Sequence, residues 1–496
     1  MTSKRGFYMK KIKRFIFPLS LVLLLAACNG RSVSSSEVKS ESKSEASQSE
    51  TTSVVSSNSE ESVASSEGSV SSVSSESSET SASSQASETT SQAPASNPFV
   101  LEEPEDTSMV SAKVKAYVDA MREQEESLDD PYMLGDGQLG GEAGISVESF
   151  LDEGEVEGQN RTVNGKIPNR SDKNMGVELK FSVAEGHEAD SYKVLVADNE
   201  DFENAKELET SGNEVVVRNL FVNTEYYWKV VTDDEESDVE TFTTDDYPRW
   251  ILARSLTGEE DGRGIYNVRD NGGYMTSSGK RVKQGLVYRG GEITTMSGNG
   301  HYNTITNVAK KAFREDMGMV GGIELDLRGT SDISDGYRAC GFAENGDIEY
   351  QMHAIKSYEQ TFTQTRSEVA PIFEILKNAD QKPVYYHCFG GADRTGTIGF
   401  LLNGLLGVSY TDLVIDFELT SYSSINNEHI RNHIQGHQHQ YDRWPALINQ
   451  IKTDTTGGYA YNANASLEDN IENFLVKACS VPQATIDTIR DIMLED

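Results

Sequence analysis

Cationic side chains are scarce in this sequence. Its 496 residues carry 44 Lys and Arg against 80 Asp and Glu, a formal net charge of −36. Phosphate backbones need basic surfaces, so the balance excludes nucleic acid as a partner. It also requires that an anionic substrate be drawn into a local positive site against the overall field. Cysteine is rarer still, with four in the chain, at positions 28, 340, 388 and 479. Residues 32–97 lack aromatic side chains altogether and are nearly all Ser, Glu, Thr, Ala and Val. Such a stretch cannot bury a core, and disorder is expected there. Around 65 residues of this kind reach roughly 45 Å as a flexible coil.

What is present begins at the N-terminus. Lys10, Lys11, Lys13 and Arg14 precede the apolar run FIFPLSLVLLLAA, which is too short and one-sided for an ordinary membrane span. It ends in Leu25-Ala26-Ala27-Cys28. This ending resembles the bacterial lipobox. The resemblance implies a signal peptide over 1–27, lipidation of Cys28, and a chain held by lipid at the extracytoplasmic face of a bacterial cell membrane. Residues 28–100 then read as the lipidated cysteine and its Ser/Glu-rich tether. With Cys28 accounted for, three cysteines remain, an odd number that hints at a reactive thiol in an exported chain.

Residues 101–172 are expected to hold one helix and irregular linker. Val110, Val114, Tyr117, Val118 and Met121 fall on one face of a helix over 110–128. From 173 to 246 the pattern changes to short alternating strands, among them VELKFSV, SYKVLVAD and YYWKVVTD. Leu220, Thr224, Tyr226 and Val230 sit at the spacing of the tyrosine corner, so this stretch resembles a small fibronectin type III β-sandwich. Val222 stands where that family commonly has proline. A spacer or substrate-positioning role is expected; a protein or glycan contact has no particular residue behind it. Residues 247–496 alternate strands such as GIELDLRG and PVYYHC with helical stretches such as TGTIGFLLNGLLG. That alternation predicts one α/β domain, a mostly parallel sheet flanked by helices.

The chemistry concentrates in YYHCFGGADRTGTIGF, Tyr385 to Phe400. A strand delivers Cys388 to the carboxyl edge of the sheet, where open α/β folds bind ligands. Phe389, Gly390, Gly391 and Ala392 then turn around an anion with their N–H groups inward, and Gly390 and Gly391 permit the positive φ angles needed. A helix beginning at Thr395 or Gly396 presents its N-terminus to the same point. These dipoles favour a Cys388 thiolate. Arg394 offers a planar fork for two phosphoryl oxygens. Thr395 donates to the sulfur, and His387 orients the loop through the backbone rather than acting as a base. The competing reading is a buried structural cysteine in a tight turn; Asp393 has its own competing role as a helix cap.

Three further stretches carry a family resemblance. Asn267, Arg269, Asp270, Gly272 and Gly273 in YNVRDNGGY match an N-x-R-D-x-G-G signature. SGKRVKQGLVYRGGEI follows it, and Asp326, Leu327 and Arg328 form a D-L-R motif. With the Cys388–Arg394 loop, these make residues 247–496 resemble the atypical bacterial tyrosine phosphatases. The resemblance implies a cysteine-phosphatase fold and hydrolysis of phosphomonoesters through a phosphocysteine, without metal or cofactor. It implies that Asp393 is the proton donor, with Asp326 as rival, and that Asp326, Arg328, Arg269 and Asp270 support the loop. Asp326 alternatively pairs with Arg269 or Arg328. Expected substrates are phosphorylated proteins, phosphotyrosine above all, or small phosphomonoesters. The family often has lysine where this chain has Ala392, which disfavours phosphoinositides. The alternatives are a phosphoinositide phosphatase of the same mechanism and a catalytically weak phosphate-binding surface module.

Two other features stand out. His429, His433, His437 and His439 are half of the histidines. A polar lid is expected of them rather than a zinc site, given only Glu428 as a nearby carboxylate. A reversible Cys340–Cys388 disulfide would protect the nucleophile outside the cell.

Overall fold

A computed structural model describes residues 97–134, 139, 144–154, 167–169, 174–252, 267–293, 307–332, 346–423, 431, 433 and 443–495. The expectations for the signal peptide, Cys28, the tether up to residue 96, Cys340, Glu428, His429, His437 and His439 lie outside them.

A six-stranded sheet organises the C-terminal part. Its order is Trp250–Leu252, Val268–Asp270, Val287–Gly290, Val384–His387, Ile323–Asp326 and Glu349–Met352. The last four run parallel and the first two add antiparallel at one edge. Strand residues alternate between faces, and the two faces have separate cores. Val384, Tyr386 and Cys388 join the larger core with Leu325 and Leu327, while Tyr385 and Tyr288 point into a smaller one around Phe313. The strand is therefore buried on both sides, which is why VYYH reads as continuous rather than alternating.

Helix Asp393–Leu405 follows the Cys388 loop directly. Residues 395–405 are all buried, so no polar stripe marks it in the sequence. Ile398, Leu401, Leu402 and Leu405 are fully enclosed, each contributing about 1.5–3 kcal/mol. Helix Tyr410–Leu419 packs beside it, capped by the Ser409 hydroxyl accepting from the Asp412 N–H. Trp444 lies in this core with its indole N–H on the Tyr410 hydroxyl at 2.7 Å.

Two further sheets, Phe99–Leu101/Val177–Val183/Glu214–Val217 and Lys206–Thr210/Tyr192–Ala197/Glu225–Val231/Glu240–Thr243, share one core around Phe181, Val194 and Trp228. The Tyr226 hydroxyl accepts from the Phe221 N–H at 2.9 Å, the contact a tyrosine corner makes. Phe99–Leu101 extends this unit below residue 173, because its N–H and C=O groups complete an otherwise open strand edge. Helix Ala112–Glu125 forms within the expected 110–128. Its apolar face (Val114, Tyr117, Val118, Met121) is buried in the larger core beside Tyr410–Leu419.

The unit of two sheets is fixed to the six-stranded sheet by buried Arg249. Its guanidinium donates to Asp270 at 2.7 Å and to the carbonyls of Leu220 and Asn219, and lies over the Phe221 ring at 4.3 Å. Gln284 bonds both the N–H and the carbonyl of Val222. Position 222, where a proline would lack an N–H, thus has a donor in use.

Candidate active site

The site assembles at the carboxyl end of Val384–His387. Cys388 is 4% exposed. Burial and the Asp393 carboxylate push its thiol up; the neighbouring Thr395 hydroxyl and N–H, with the Arg394 charge, outweigh them, and the net direction is down. A sulfur in this setting is predisposed to be a thiolate.

The loop's backbone is held from outside. The Phe389 carbonyl accepts from the Glu292 N–H at 3.1 Å. The Gly390 and Gly391 carbonyls both accept from the Asn267 amide at 3.1 Å, and Arg289 adds a bond to Gly391 at 3.2 Å. In a planar trans peptide the N–H points opposite to its carbonyl. Fixing these three carbonyls outward therefore turns the N–H groups of Gly390, Gly391 and Ala392 the other way, the arrangement of an anion nest. Gly391 alone of the two glycines has positive φ, +66°, contrary to the expectation for both. A Cβ there would collide with the Gly290 backbone as well. Gly391→Ala is expected to cost about 1–3 kcal/mol for the backbone conformation alone, readable as a lower midpoint in urea unfolding.

The signature residues divide between two tasks. Arg269 donates to the Asn267 side-chain amide oxygen and, at 2.7 Å each, to the carboxylate and main-chain oxygen of Asp416. Arg289 meets the other Asp416 oxygen. Asn267, Arg269, Arg289 and Asp416 thus form one buried clamp on the loop. Burial pushes the Asp416 carboxyl up, but the two arginines hold it below the usual range. Gly399 makes room for this clamp, since a Cβ there would meet the Arg289 guanidinium at 2.5 Å. Asp270 does not join it. Its carboxylate accepts from Arg249 and from the N–H groups of Gly272 and Gly285, away from the loop.

Asp326 pairs with Arg328, not Arg269. It accepts from the Arg328 N–H and guanidinium and from the Tyr350 hydroxyl at 2.9 Å. Burial raises its carboxyl, while the His387 charge and Arg328 hold it lower on balance. Arg328 also contacts Glu292, so this network supports the loop from the sheet side. His387 places one ring nitrogen on Glu324 at 3.0 Å and the other on the Cys388 carbonyl at 3.1 Å. Burial lowers its pKa, and the Asp326 charge and Glu324 hydrogen bond more than reverse that. Both ring nitrogens face oxygens, which suits an imidazolium that orients the loop.

The helix starts at Asp393, earlier than expected, with Ala392 as its N-cap residue and no side-chain cap bond. Asp393 is therefore in the first turn and does not cap the helix. An acidic residue is favoured there by the helix dipole. Its Oδ1 accepts from the Tyr358 hydroxyl at 3.0 Å and from Arg431 at 2.5 Å. Arg394, on the same turn, donates to Asp332 at 2.7 Å with one of the five N–H groups of its fork.

Sequence reasoning missed Arg289, Asp332, Tyr358, Asp416 and Arg431. Arg289 stood inside the quoted VYRGGEI stretch, and Arg431 inside the histidine-rich one that drew attention to its neighbours. His433 is buried, bonded to Glu418 at 2.6 Å and to the Leu139 carbonyl. It braces the core rather than lining a lid. Among the described residues, no group of three or more His, Cys, Asp or Glu is arranged to hold a metal ion.

Residues 261–309 and 326–495 match the model of a tyrosine phosphatase family. The match spans the clamp, the D-L-R motif and the Cys388 loop, and it supports phosphatase activity in general for this part of the chain. No curated protein matches the chain.

Proposed function

We propose that the chain is a cysteine-dependent phosphatase of phosphorylated proteins, acting chiefly on phosphotyrosine, and held at the outer face of a bacterial membrane through lipid on Cys28. The observation that carries the catalytic reading is the surroundings of Cys388: a thiol shifted down at the mouth of an outward-clamped backbone turn, with Arg394 on the adjoining helix turn. The Cys388 thiolate attacks phosphorus, and the bond to the ester oxygen breaks. Asp393 gives that oxygen its proton. Arg394 and the N–H groups of the turn hold the three remaining phosphoryl oxygens, most strongly in the transition state. Asp393, now a carboxylate, takes a proton from water as the water attacks. The sulfur–phosphorus bond breaks, and phosphate leaves. Asp326 is the weaker candidate for the donor, because it lies outside the Cys388 loop and Arg328 occupies both of its carboxylate oxygens.

The fibronectin type III-like reading of 173–246 is part of the same proposal. What supports it is the Tyr226 contact and the two-sheet core. The docking through Arg249 favours a positioning body over a loose spacer.

The test is turnover of p-nitrophenyl phosphate, a phosphotyrosine peptide and a phosphoinositide by the purified chain with EDTA present. Hydrolysis of the first two, unaffected by the chelator, is expected. No turnover of any substrate would sink the proposal; preference for the lipid would replace its substrate. A companion measurement uses the thiols. Burial pushes Cys479 up to about 12, so iodoacetamide at neutral pH should label Cys388 well ahead of Cys479.

A further inference from the structure

Arg431 has no place in the readings so far, yet its side chain is completely buried beside the reacting groups. Burying a guanidinium is costly unless partners compensate it. Here the backbone is fixed first. The Arg431 N–H donates to the Ser421 hydroxyl at 2.8 Å, and that hydroxyl donates back to the Arg431 carbonyl at 3.1 Å. Two residues on, the His433 N–H is held by Glu418 at 2.6 Å. From this anchored backbone the guanidinium reaches Asp393 Oδ1. Tyr358 meets the same oxygen, and its own N–H is tied to Thr397, whose hydroxyl donates to the Asp393 carbonyl. The Asp393 charge first, then Tyr358 and Cys388, offset the burial of the Arg431 guanidinium and favour the cation.

Resting on the phosphatase reading above, we propose that Arg431 is a positioning residue that, with Tyr358, fixes the Asp393 carboxylate through Oδ1 so that Oδ2 carries the proton exchanged with the leaving oxygen and with water. The logic is one of donors. An oxygen already accepting two N–H or O–H bonds is a poor seat for an acidic proton, so the proton resides on the other oxygen of the carboxyl. The two donors also set the plane of that carboxyl, and a proton in flight demands such alignment. A purely structural ion pair would hold the fold equally well without regard to the leaving group.

The experiment compares wild type, Arg431→Met, Arg431→Lys, Asp393→Asn and the Arg431→Met/Asp393→Asn pair on p-nitrophenyl phosphate and phenyl phosphate. Phenolate is the poorer leaving group and depends more on the acid. Arg431→Met should lower kcat on phenyl phosphate by about 10- to 100-fold more than on p-nitrophenyl phosphate. Arg431→Lys should recover part of the loss. In the Asp393→Asn background, Arg431→Met should cost less than about 2-fold further. Inhibition by inorganic phosphate should hardly change. Equal losses on both substrates, or losses that multiply with Asp393→Asn, would overturn the proposal. Should Arg431→Met not fold, Tyr358→Phe gives the same comparison by removing the other donor, and a loss independent of the leaving group would overturn it too. A wild type without turnover would overturn the phosphatase reading and this role together; a working wild type with a multiplicative cycle would overturn this role alone.

Discussion

Cys388→Ser is expected to lower turnover of p-nitrophenyl phosphate by roughly 10⁴-fold or more, the scale seen when an enzyme's nucleophile is removed. The substitution keeps the size and nearly the shape of the side chain, so the loop, its clamp and the helix should persist. What changes is ionisation. Thr395 and the Arg394 charge hold the thiol below its usual value, but a serine hydroxyl starts far too high for the same help to ionise it. The variant should therefore unfold within a few degrees of wild type and still bind phosphate. Turnover within about 10-fold of wild type would mean that another group attacks phosphorus.

Asp416→Asn should give the largest loss of stability, about 3–5 kcal/mol. Asp416 is the carboxylate that both Arg269 and Arg289 face in a buried setting. Replacing it with the neutral amide preserves volume and leaves two guanidinium charges close together without their counter-ion. The loop should suffer with the fold, because Arg269 orients Asn267 and Arg289 bonds Gly391 directly. Urea unfolding measures the first effect and turnover the second. A change below about 1 kcal/mol would place the clamp outside what holds the domain together.

The loop was legible because its parts are consecutive. A strand, a cysteine, two glycines, Asp393-Arg394-Thr395 and a helix follow one another within Val384–Leu405, and local rules suffice for each. The long elements were legible for the same reason. The rest depended on distance along the chain. Asp393 meets Tyr358 and Arg431, which lie 35 and 38 residues away in opposite directions. Arg269 and Arg289 meet Asp416 across 147 and 127 residues. In a sequence a buried arginine looks like a surface one, and only its partners reveal it. Asp270 shows the converse. It sits in the middle of a signature that otherwise clamps the loop, yet it serves the attachment of Arg249. The early helix start had a similar cause: Asp393 reads as a cap by residue type, but its carboxylate turns to Arg431 and Tyr358 instead of the helix N–H groups.

The central claim is covalent chemistry at Cys388, and acid-quenched turnover in the first milliseconds tests it most directly. Peptide mass mapping of the quenched protein should find one phosphoryl group on the peptide containing Cys388, appearing with a burst of released phenol. The Asp393→Asn variant should retain it longer, since water then attacks without its base. A phosphoryl group on another residue, or steady turnover with none on the protein, would contradict the claim.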